Sequence, residues 1–263
     1  MGGAVKILFL DDHLVAVTKP AGLLVHRSAV DRRETLSALQ LTRDRIGRRV
    51  YPVHRLDRPT SGLLLFALSP EAATLLCNSF ASRQVEKLYL AVVRGRSPDD
   101  GLIDYPLVEE QDRMTDRRAR GDKGAQEAIT SFRRVATTEL PYPSGSHPTS
   151  RYSLVEVRPL TGRKHQIRRH FKHLSHPVIG DTTHGDGAHN RRFREEFASS
   201  RLLLHALALT VPHPATGERL TITAPLDETF SRLLDLLGWQ EETYGIITPS
   251  PAASPHSAPG LEV

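Results

Sequence analysis

The sequence holds little of what marks secreted and membrane proteins. Its 263 residues include one cysteine, Cys77, so no disulfide can form within the chain, and a disulfide-stabilised extracellular fold is excluded. No apolar run approaches the roughly 20 residues of a transmembrane helix, and residues 1–6 do not resemble a signal peptide. A reducing, cytoplasmic location without membrane attachment is therefore expected.

Positive charge is in slight excess over the whole chain but is concentrated in one segment. The sequence has 35 lysine and arginine residues against 30 aspartate and glutamate residues. Residues 161–194 alone hold eight of the basic residues and two of the acidic ones, a local field suited to phosphate groups. An isolated basic run is more often a solvated surface, so this segment indicates a nucleic acid only where a motif supports it.

The strongest functional signal lies in residues 54–62, His-Arg-Leu-Asp-Arg-Pro-Thr-Ser-Gly. One carboxylate, Asp57, stands between Arg55 and Arg58, whose positive charges favour its ionised form. A rigid turn follows, and then an apolar run, residues 63–68, that is typical of a buried strand. An ionised carboxylate on a loop held by a rigid strand suits a reacting group that meets a polyanionic substrate. The alternative is an aspartate satisfied within a local turn.

This segment resembles the catalytic loop of the RluA-type pseudouridine synthases. Further segments that resemble motifs of that family follow in order across residues 19–214, which argues against coincidence. They are residues 19–22, 25–26, 87–95, 161–168, 177–181 and 202–206. Three segments resemble in particular a branch that modifies uridine 65 of tRNA: 25–28, 104–110 and 122–124. The resemblance implies an RNA pseudouridine synthase with tRNA as its partner, and ribosomal RNA remains the alternative substrate.

The resemblance also implies the chemistry. Pseudouridine formation breaks the N1–C1′ bond of a uridine, turns the base and rejoins it through C5, so no atom is lost and no cofactor is needed. Asp57 is implied as the anion at the ribose, and both direct attack on C1′ and removal of the C2′ proton stay open. Arg168 is implied as the partner that keeps this carboxylate charged and oriented. Tyr89 is implied as the residue that stacks on the uracil, with core packing as the alternative for a tyrosine on a strand.

A base in a stem must leave its stack before a carboxylate can reach C1′. Arg55 is the candidate to fill the gap that the base leaves, or else to clamp a phosphate, and His54 is expected to support the loop through a hydrogen bond. Leu204 is a candidate floor of the base pocket. Segments 104–126 and 185–200 are candidates for substrate selection. The RNA-binding candidates together are Arg55, His54, Arg58, Leu204, Arg163, Lys164, Arg169 and Lys172.

Three other interpretations fit the sequence less well. A metal site needs three or four converging ligands, yet His165 and His170 are five positions apart and fall on diverging helix faces, and Cys77 is remote, so no metal is expected. A glycosidase needs two facing carboxylates, and no second acid sits in a comparable motif. A non-catalytic RNA-binding protein would not need the aspartate, the arginine and the tyrosine in matching contexts.

Strands outnumber helices and short turns often join them, which predicts an α+β fold with a largely antiparallel sheet. The family resemblance implies the same fold, a mixed sheet with flanking helices and a central cleft. We expect a single catalytic domain over residues 1–245 without a separate N-terminal RNA-binding domain, and a disordered tail over residues 246–263. A monomer without an obligate protein partner is expected.

Local patterns predict the individual elements. Ser69 is expected to cap a helix whose first residue is proline, and Thr161 is expected to cap the helix of the arginine motif. Residues 109–127 are predicted to form a mobile loop. The predicted elements are strands at 5–10, 14–18, 62–68, 87–93, 128–136 and 151–157, helices at 35–46, 70–82 and 163–174, a hairpin of 202–211 with 220–224, and a closing helix at 225–239.

Overall fold

One mixed β-sheet organises the fold. The computed structural model describes residues 5–26, 36–109 and 124–247. The strands in these residues are β1 (Lys6–Leu10), β2 (Leu14–Lys19), β3 (Tyr51–Pro52), β4 (Ser61–Ala67), β5 (Glu86–Arg94), β6 (Asp100–Asp104), β7 (Ile129–Leu140), β8 (Ser150–Pro159), β9 (Leu204–Pro212) and β10 (Arg219–Thr223).

The strands lie in the order β1-β2-β4-β9-β5-β8-β7-β6, with β3 beside β4 and β10 beside β9. Paired strands are antiparallel except β4 and β9, which run parallel. The architecture is the predicted α+β fold. The helices of the described residues are α1 (Ala38–Ile46), α2 (Pro70–Ala81), α3 (Gln166–His173), α4 (Gly187–Phe197), α5 (Glu228–Leu236) and α6 (Gln240–Ile247). In the described ranges, none of them has the length and apolar character to cross a membrane.

The helix starts follow local chemistry, and one prediction about them is wrong. Ser69 caps α2 as predicted, because its side chain accepts a hydrogen bond from the Ala72 amide and a proline follows it. Thr161 does not cap α3, which begins at Gln166 after His165 in the left-handed conformation. The Thr161 hydroxyl instead donates to Oε1 of Gln166 at 2.7 Å, so it fixes the turn that leads into the helix.

Apolar periodicity does not predict every element. The α4 helix is mostly polar and buries only three side chains, those of His189, Phe193 and Phe197. Its apolar periodicity is therefore too short for the sequence to distinguish the helix from a loop. The predicted closing helix, residues 225–239, contains α5, which ends before Gly238 with φ +73°. A further helix that was not predicted, α6, follows it and extends into the predicted tail. The rest of that tail and most of the predicted mobile loop lie outside the described residues.

The sheet joins two halves where β4 meets β9. This parallel pairing covers two residue pairs, Ser61 with His205 and Gly62 with Ala206. Gly62 adopts φ +110°, and a Cβ there would collide with the carbonyl oxygen of Ala206, so the junction requires glycine. Apolar clusters pack on both faces of each half. Residues 54–60, hereafter the Asp57 loop, enter β4 at this junction.

Candidate active site

A cleft of about 640 Å³ opens beside the junction of β4 and β9. Its walls come from the Asp57 loop, β5, the start of α3 and the first residue of β9. Arg58 and Lys172 do not line it, as far as the described residues define its walls. The cleft brings together most of the predicted site residues: His54, Arg55, Asp57, Tyr89, Arg163, Lys164, Arg168, Arg169 and Leu204.

Backbone hydrogen bonds hold the Asp57 loop in place. The Thr60 amide donates to the carbonyl oxygen of Asp57 at 3.1 Å, which closes a turn. The Gly22 amide donates to the carbonyl oxygen of Arg58 at 2.8 Å, and Nε of Arg58 donates back to the carbonyl oxygen of Gly22 at 3.0 Å. Arg58 therefore holds the loop against the chain around Gly22.

Lys19 also holds the Asp57 loop in place, a role that the sequence did not predict. Its side chain is almost fully buried, and Nζ donates to the carbonyl oxygens of Pro20, Leu23 and Arg58 at 3.1, 2.8 and 3.0 Å. Burial lowers the pKa of Lys19 to about 7, against the raising effect of the negative charge of Asp57. The signal for this role in the sequence is the position of Lys19 in the Lys-Pro-Ala-Gly segment, one of the segments that carry the family resemblance.

His54 supports the loop through contacts with β4 and α2. The Leu65 amide donates to Nε2 of His54 at 2.9 Å, and the imidazole stacks on Phe80 with ring centroids 5.0 Å apart. Burial, and then the positive charge of Lys87, lower the pKa of His54 to about 4. The imidazole is therefore neutral at pH 7, which leaves Nε2 free to accept this hydrogen bond.

Asp57 and Arg168 meet in the cleft. Nη1 of Arg168 donates to Oδ2 of Asp57 at 3.2 Å. The side chain of Asp57 is 18% exposed and that of Arg168 is 4% exposed, so the carboxylate is open to the cleft while the guanidinium is enclosed.

The other edge of the Arg168 guanidinium binds Asp181, through Nε to Oδ2 at 2.7 Å and Nη2 to Oδ1 at 2.8 Å. Burial alone would lower the pKa of Arg168, but hydrogen bonds and charge from Asp181, and then from Asp57, raise it above its ordinary value. Arg168 is thus a permanent cation between two carboxylates. Sequence reasoning noted the segment that contains Asp181 without giving this residue a role.

Tyr89 and Leu204 form an apolar wall next to Asp57. Tyr89 lies on β5, paired with Ala206 of β9, and Leu204 is the buried first residue of β9. Burial, and then the negative charge of Asp57, raise the pKa of Tyr89, so the phenol keeps its proton at neutral pH. A neutral aromatic ring and a leucine beside a carboxylate suit a flat, uncharged base held next to its sugar.

Basic side chains surround the mouth of the cleft. Arg55 is exposed. Nε of Arg163 donates to the carbonyl oxygen of Glu127 at 2.9 Å, and Nη1 of Arg169 donates to the carbonyl oxygen of Val108 at 2.8 Å. These backbone contacts help to orient the guanidinium groups of Arg163 and Arg169 at the mouth of the cleft.

Two more cations line the cleft that the sequence analysis did not select, Arg83 and Lys87. Nζ of Lys87 donates to the carbonyl oxygen of Thr161 at 2.9 Å. Burial, and then the positive charge of Arg83, lower the pKa of Lys87 to about 8. Their signal in the sequence is weak because each stands alone, Arg83 before β5 and Lys87 near its start, whereas most of the selected cations lie together in residues 161–194.

A buried polar chain crosses the β4–β9 junction behind the Asp57 loop. Nη2 of Arg201 donates to Oγ of Ser61 at 2.7 Å, and this Oγ lies 2.8 Å from Nδ1 of His205. Arginine can only donate, so the hydroxyl accepts from Arg201; Nε2 of His205 faces the carbonyl oxygen of Ala224 at 3.4 Å, so a neutral imidazole carries its proton there and Nδ1 accepts from the hydroxyl. Burial, and then the charge of Arg201, lower the pKa of His205 to about 3, which fits a neutral imidazole. Arg201 also pairs with Asp227 and so ties both strands to the start of α5.

The histidines of the α3 region do not gather around a metal. Nδ1 of His165 lies 3.1 Å from Nε2 of His184, while His170 contacts Thr130 and the carbonyl oxygen of Tyr105. In the part of the chain that the structure describes, no group of three or more histidine, cysteine, aspartate or glutamate residues is placed to hold a metal ion.

Comparison with known proteins places these features in a family. The family model described as RNA pseudouridylate synthase matches residues 13–173, which contain the Asp57 loop, Tyr89 and Arg168. A solved human structure, RNA Pseudouridylate Synthase Domain Containing 4, has a similar fold: the TM-score is 0.66 and the sequences are 27% identical, over 89% of this chain and 93% of the human chain.

Curated bacterial proteins are more similar still. The protein named tRNA pseudouridine synthase C of Vibrio cholerae serotype O1 is 53% identical over 236 residues, which are 90% of this chain and 97% of that protein. The protein of the same name from Salmonella typhi is 53% identical over 235 residues, 89% of this chain and 90% of that protein. The similarity extends over nearly the whole length of both relatives.

Proposed function

The chain belongs to the RNA pseudouridylate synthase family and is an RNA-modifying isomerase, and on that premise we propose that it converts uridine 65 of tRNA to pseudouridine. The tRNA substrate is supported by the 53% identity to relatives named tRNA pseudouridine synthase C. Uridine 65 is supported by the resemblance of residues 25–28 and 104–110 to the branch that modifies this position.

The observation that carries the proposal is the contact between Asp57 and Arg168 at 3.2 Å in a cleft bordered by Tyr89 and Leu204. The reaction breaks the N1–C1′ bond, forms a C5–C1′ bond and moves one proton from C5, while N1 gains one, so substrate and product are isomers. Asp57 supplies the anion at the ribose. It either attacks C1′ to give an ester or removes the C2′ proton to give a glycal.

The remaining contacts have complementary tasks. Arg168 orients Asp57 through a charge-assisted hydrogen bond. Tyr89 stacks on the uracil and Leu204 closes the pocket beneath it, which retains the freed base while it turns. Because the pKa of Tyr89 is raised, the ring acts as a neutral phenol.

RNA binding uses the cations at the mouth of the cleft. The target base must leave its stack to reach Asp57, and Arg55 is placed at the mouth either to replace it or to bind a phosphate. Arg163, Lys164 and Arg169 extend the positive surface from the start of α3. Phosphate contacts of this kind supply affinity and register rather than base selection.

The substrate is tested by tritium release from tRNA labelled at C5 of uridine. The purified protein is expected to release close to one tritium per tRNA, and a matched tRNA with cytidine at position 65 is expected to release none. Equal release from both tRNAs would overturn uridine 65 as the target. Release from ribosomal RNA alone would overturn the tRNA assignment and leave the isomerase activity intact.

A further inference from the structure

Asp181 holds the enclosed edge of the arginine that faces the reactive carboxylate. Its side chain has no solvent exposure. It takes two hydrogen bonds from Arg168, from Nε and Nη2 at 2.7 and 2.8 Å, whereas Asp57 takes one, from Nη1 at 3.2 Å. A bidentate guanidinium–carboxylate pair is stronger and more directional than a single contact, so Asp181 sets the orientation of the guanidinium.

Asp181 is itself fixed by its own turn. The amides of Thr183 and His184 both donate to Oδ1 at 2.9 Å. Nδ2 of Asn190 donates to the carbonyl oxygen of Asp181 at 2.8 Å, and Oδ1 of Asn190 accepts from the Gly180 amide at 2.7 Å. The carboxylate therefore cannot follow Arg168 if the arginine moves, and it acts as a fixed anchor.

The anchor is an anion. Burial alone would raise the pKa of Asp181, but the hydrogen bond from Arg168 and those from the backbone outweigh burial and lower it. The two carboxylates and one guanidinium of the cluster then carry a net charge of minus one. Since Asp181 is bound at shorter distances, it compensates most of the charge of Arg168.

We propose that Asp181 is a positioning residue for the isomerisation: it restricts Arg168 to a single hydrogen bond with Asp57, so that the carboxylate is oriented yet keeps its negative charge available to the ribose. Without Asp181, the guanidinium is free to rotate and bind Asp57 through two nitrogens. That would neutralise the reacting anion and turn it away from C1′. This inference rests on the proposed function of Asp57.

The test is Asp181→Asn, which keeps the size of the side chain and removes the anion. Single-turnover tritium release is expected to slow on the order of 100-fold, as for a reacting group misplaced by about 1 Å, with RNA affinity unchanged. A matched control is Glu156→Gln, because Glu156 is also a buried carboxylate paired with arginines, Arg133 and Arg158, and lies on β8 outside the cleft. The control is expected to keep the native rate. A native rate for Asp181→Asn, or equal slowing in both variants, would overturn the proposal.

A double variant separates positioning from folding. Arg168→Met alone leaves Asp181 as a buried, uncompensated charge and is expected to lower the unfolding temperature. Adding Asp181→Asn is expected to restore much of that temperature without any further loss of rate, because Asp181 acts through Arg168. A further loss of rate from the second change would show an independent role and contradict the inference. If the native protein itself releases no tritium, the proposed function fails instead.

Discussion

Nη1 of Arg168 lies 3.2 Å from Oδ2 of Asp57, although the two residues are 111 positions apart in the chain. The contact forms because β4 and β9 pair at a junction of two residue pairs, which brings the Asp57 loop to the cleft that α3 lines. The arrangement of this junction therefore decides whether the two charged groups meet, and several measurable consequences follow from it.

Replacing Gly62 by alanine is expected to destabilise the protein strongly. A Cβ at this position would collide with the backbone of Ala206, and φ is +110°, so steric overlap adds to backbone strain. We expect a loss of at least about 3 kcal/mol in the free energy of unfolding, measured by denaturant titration.

The matched control is Gly217→Ala, since Gly217 also has a positive φ, +74°, but a Cβ there would meet no atom within 4 Å. This variant is expected to lose about 1–2 kcal/mol from backbone strain alone. Equal losses in Gly62→Ala and Gly217→Ala would show that close packing of β4 against β9 does not matter at Gly62.

Acid is expected to destabilise the protein through His54. The folded-state pKa is about 4 against an ordinary value of 6.5, so between these values the unfolded chain binds a proton that the folded chain excludes. Stability is therefore lost as the pH falls from about 6.5 to about 4, by on the order of 3 kcal/mol for this residue.

The variant His54→Gln is expected to reduce this acid sensitivity, because an amide oxygen can still accept from the Leu65 amide but does not titrate. Unfolding temperatures of both proteins measured from pH 7 to pH 4 would show the difference. Parallel curves for the two proteins would contradict the assignment of a neutral, partly buried His54.

The cations of the cleft mouth are expected to carry the salt dependence of RNA binding. Arg163→Gln should weaken tRNA binding and reduce the slope of log affinity against log salt by about 0.7–0.9 if it removes one phosphate contact. Arg219→Gln is the control, because Arg219 is exposed, pairs with Glu86 on β5 and does not line the cleft. Identical slopes for the two variants would place the RNA elsewhere on the surface.

Much of the fold was accessible from sequence because local signals were strong. The apolar run at residues 63–68 lies largely in β4, whose residues are all buried, and Ser69 before a proline marks the start of α2. The helix α4 was not predicted because few of its positions are buried. The cap predicted at Thr161 was wrong because its hydroxyl donates to the side chain of Gln166 instead.

The candidate site was also only partly predictable from the sequence. Motif position singled out Asp57, Tyr89 and Arg168, and the structure gathers them in one cleft. The contact of Arg168 with Asp181 was not predictable, since hydrogen-bond partners across a turn depend on tertiary geometry. Lys19 was equally hidden, because an isolated lysine in a sequence is normally exposed and here it is buried among backbone carbonyl groups.

The central claim is that the carboxylate of Asp57 acts at the ribose. The most direct measurement is single-turnover tritium release from C5-labelled tRNA by the native protein and by Asp57→Asn, with the exposed Asp44→Asn as control. We predict a loss on the order of 10⁴-fold or more for Asp57→Asn, with salt-sensitive tRNA affinity retained and with a native rate for Asp44→Asn. Tritium release by Asp57→Asn at the native rate would contradict the account.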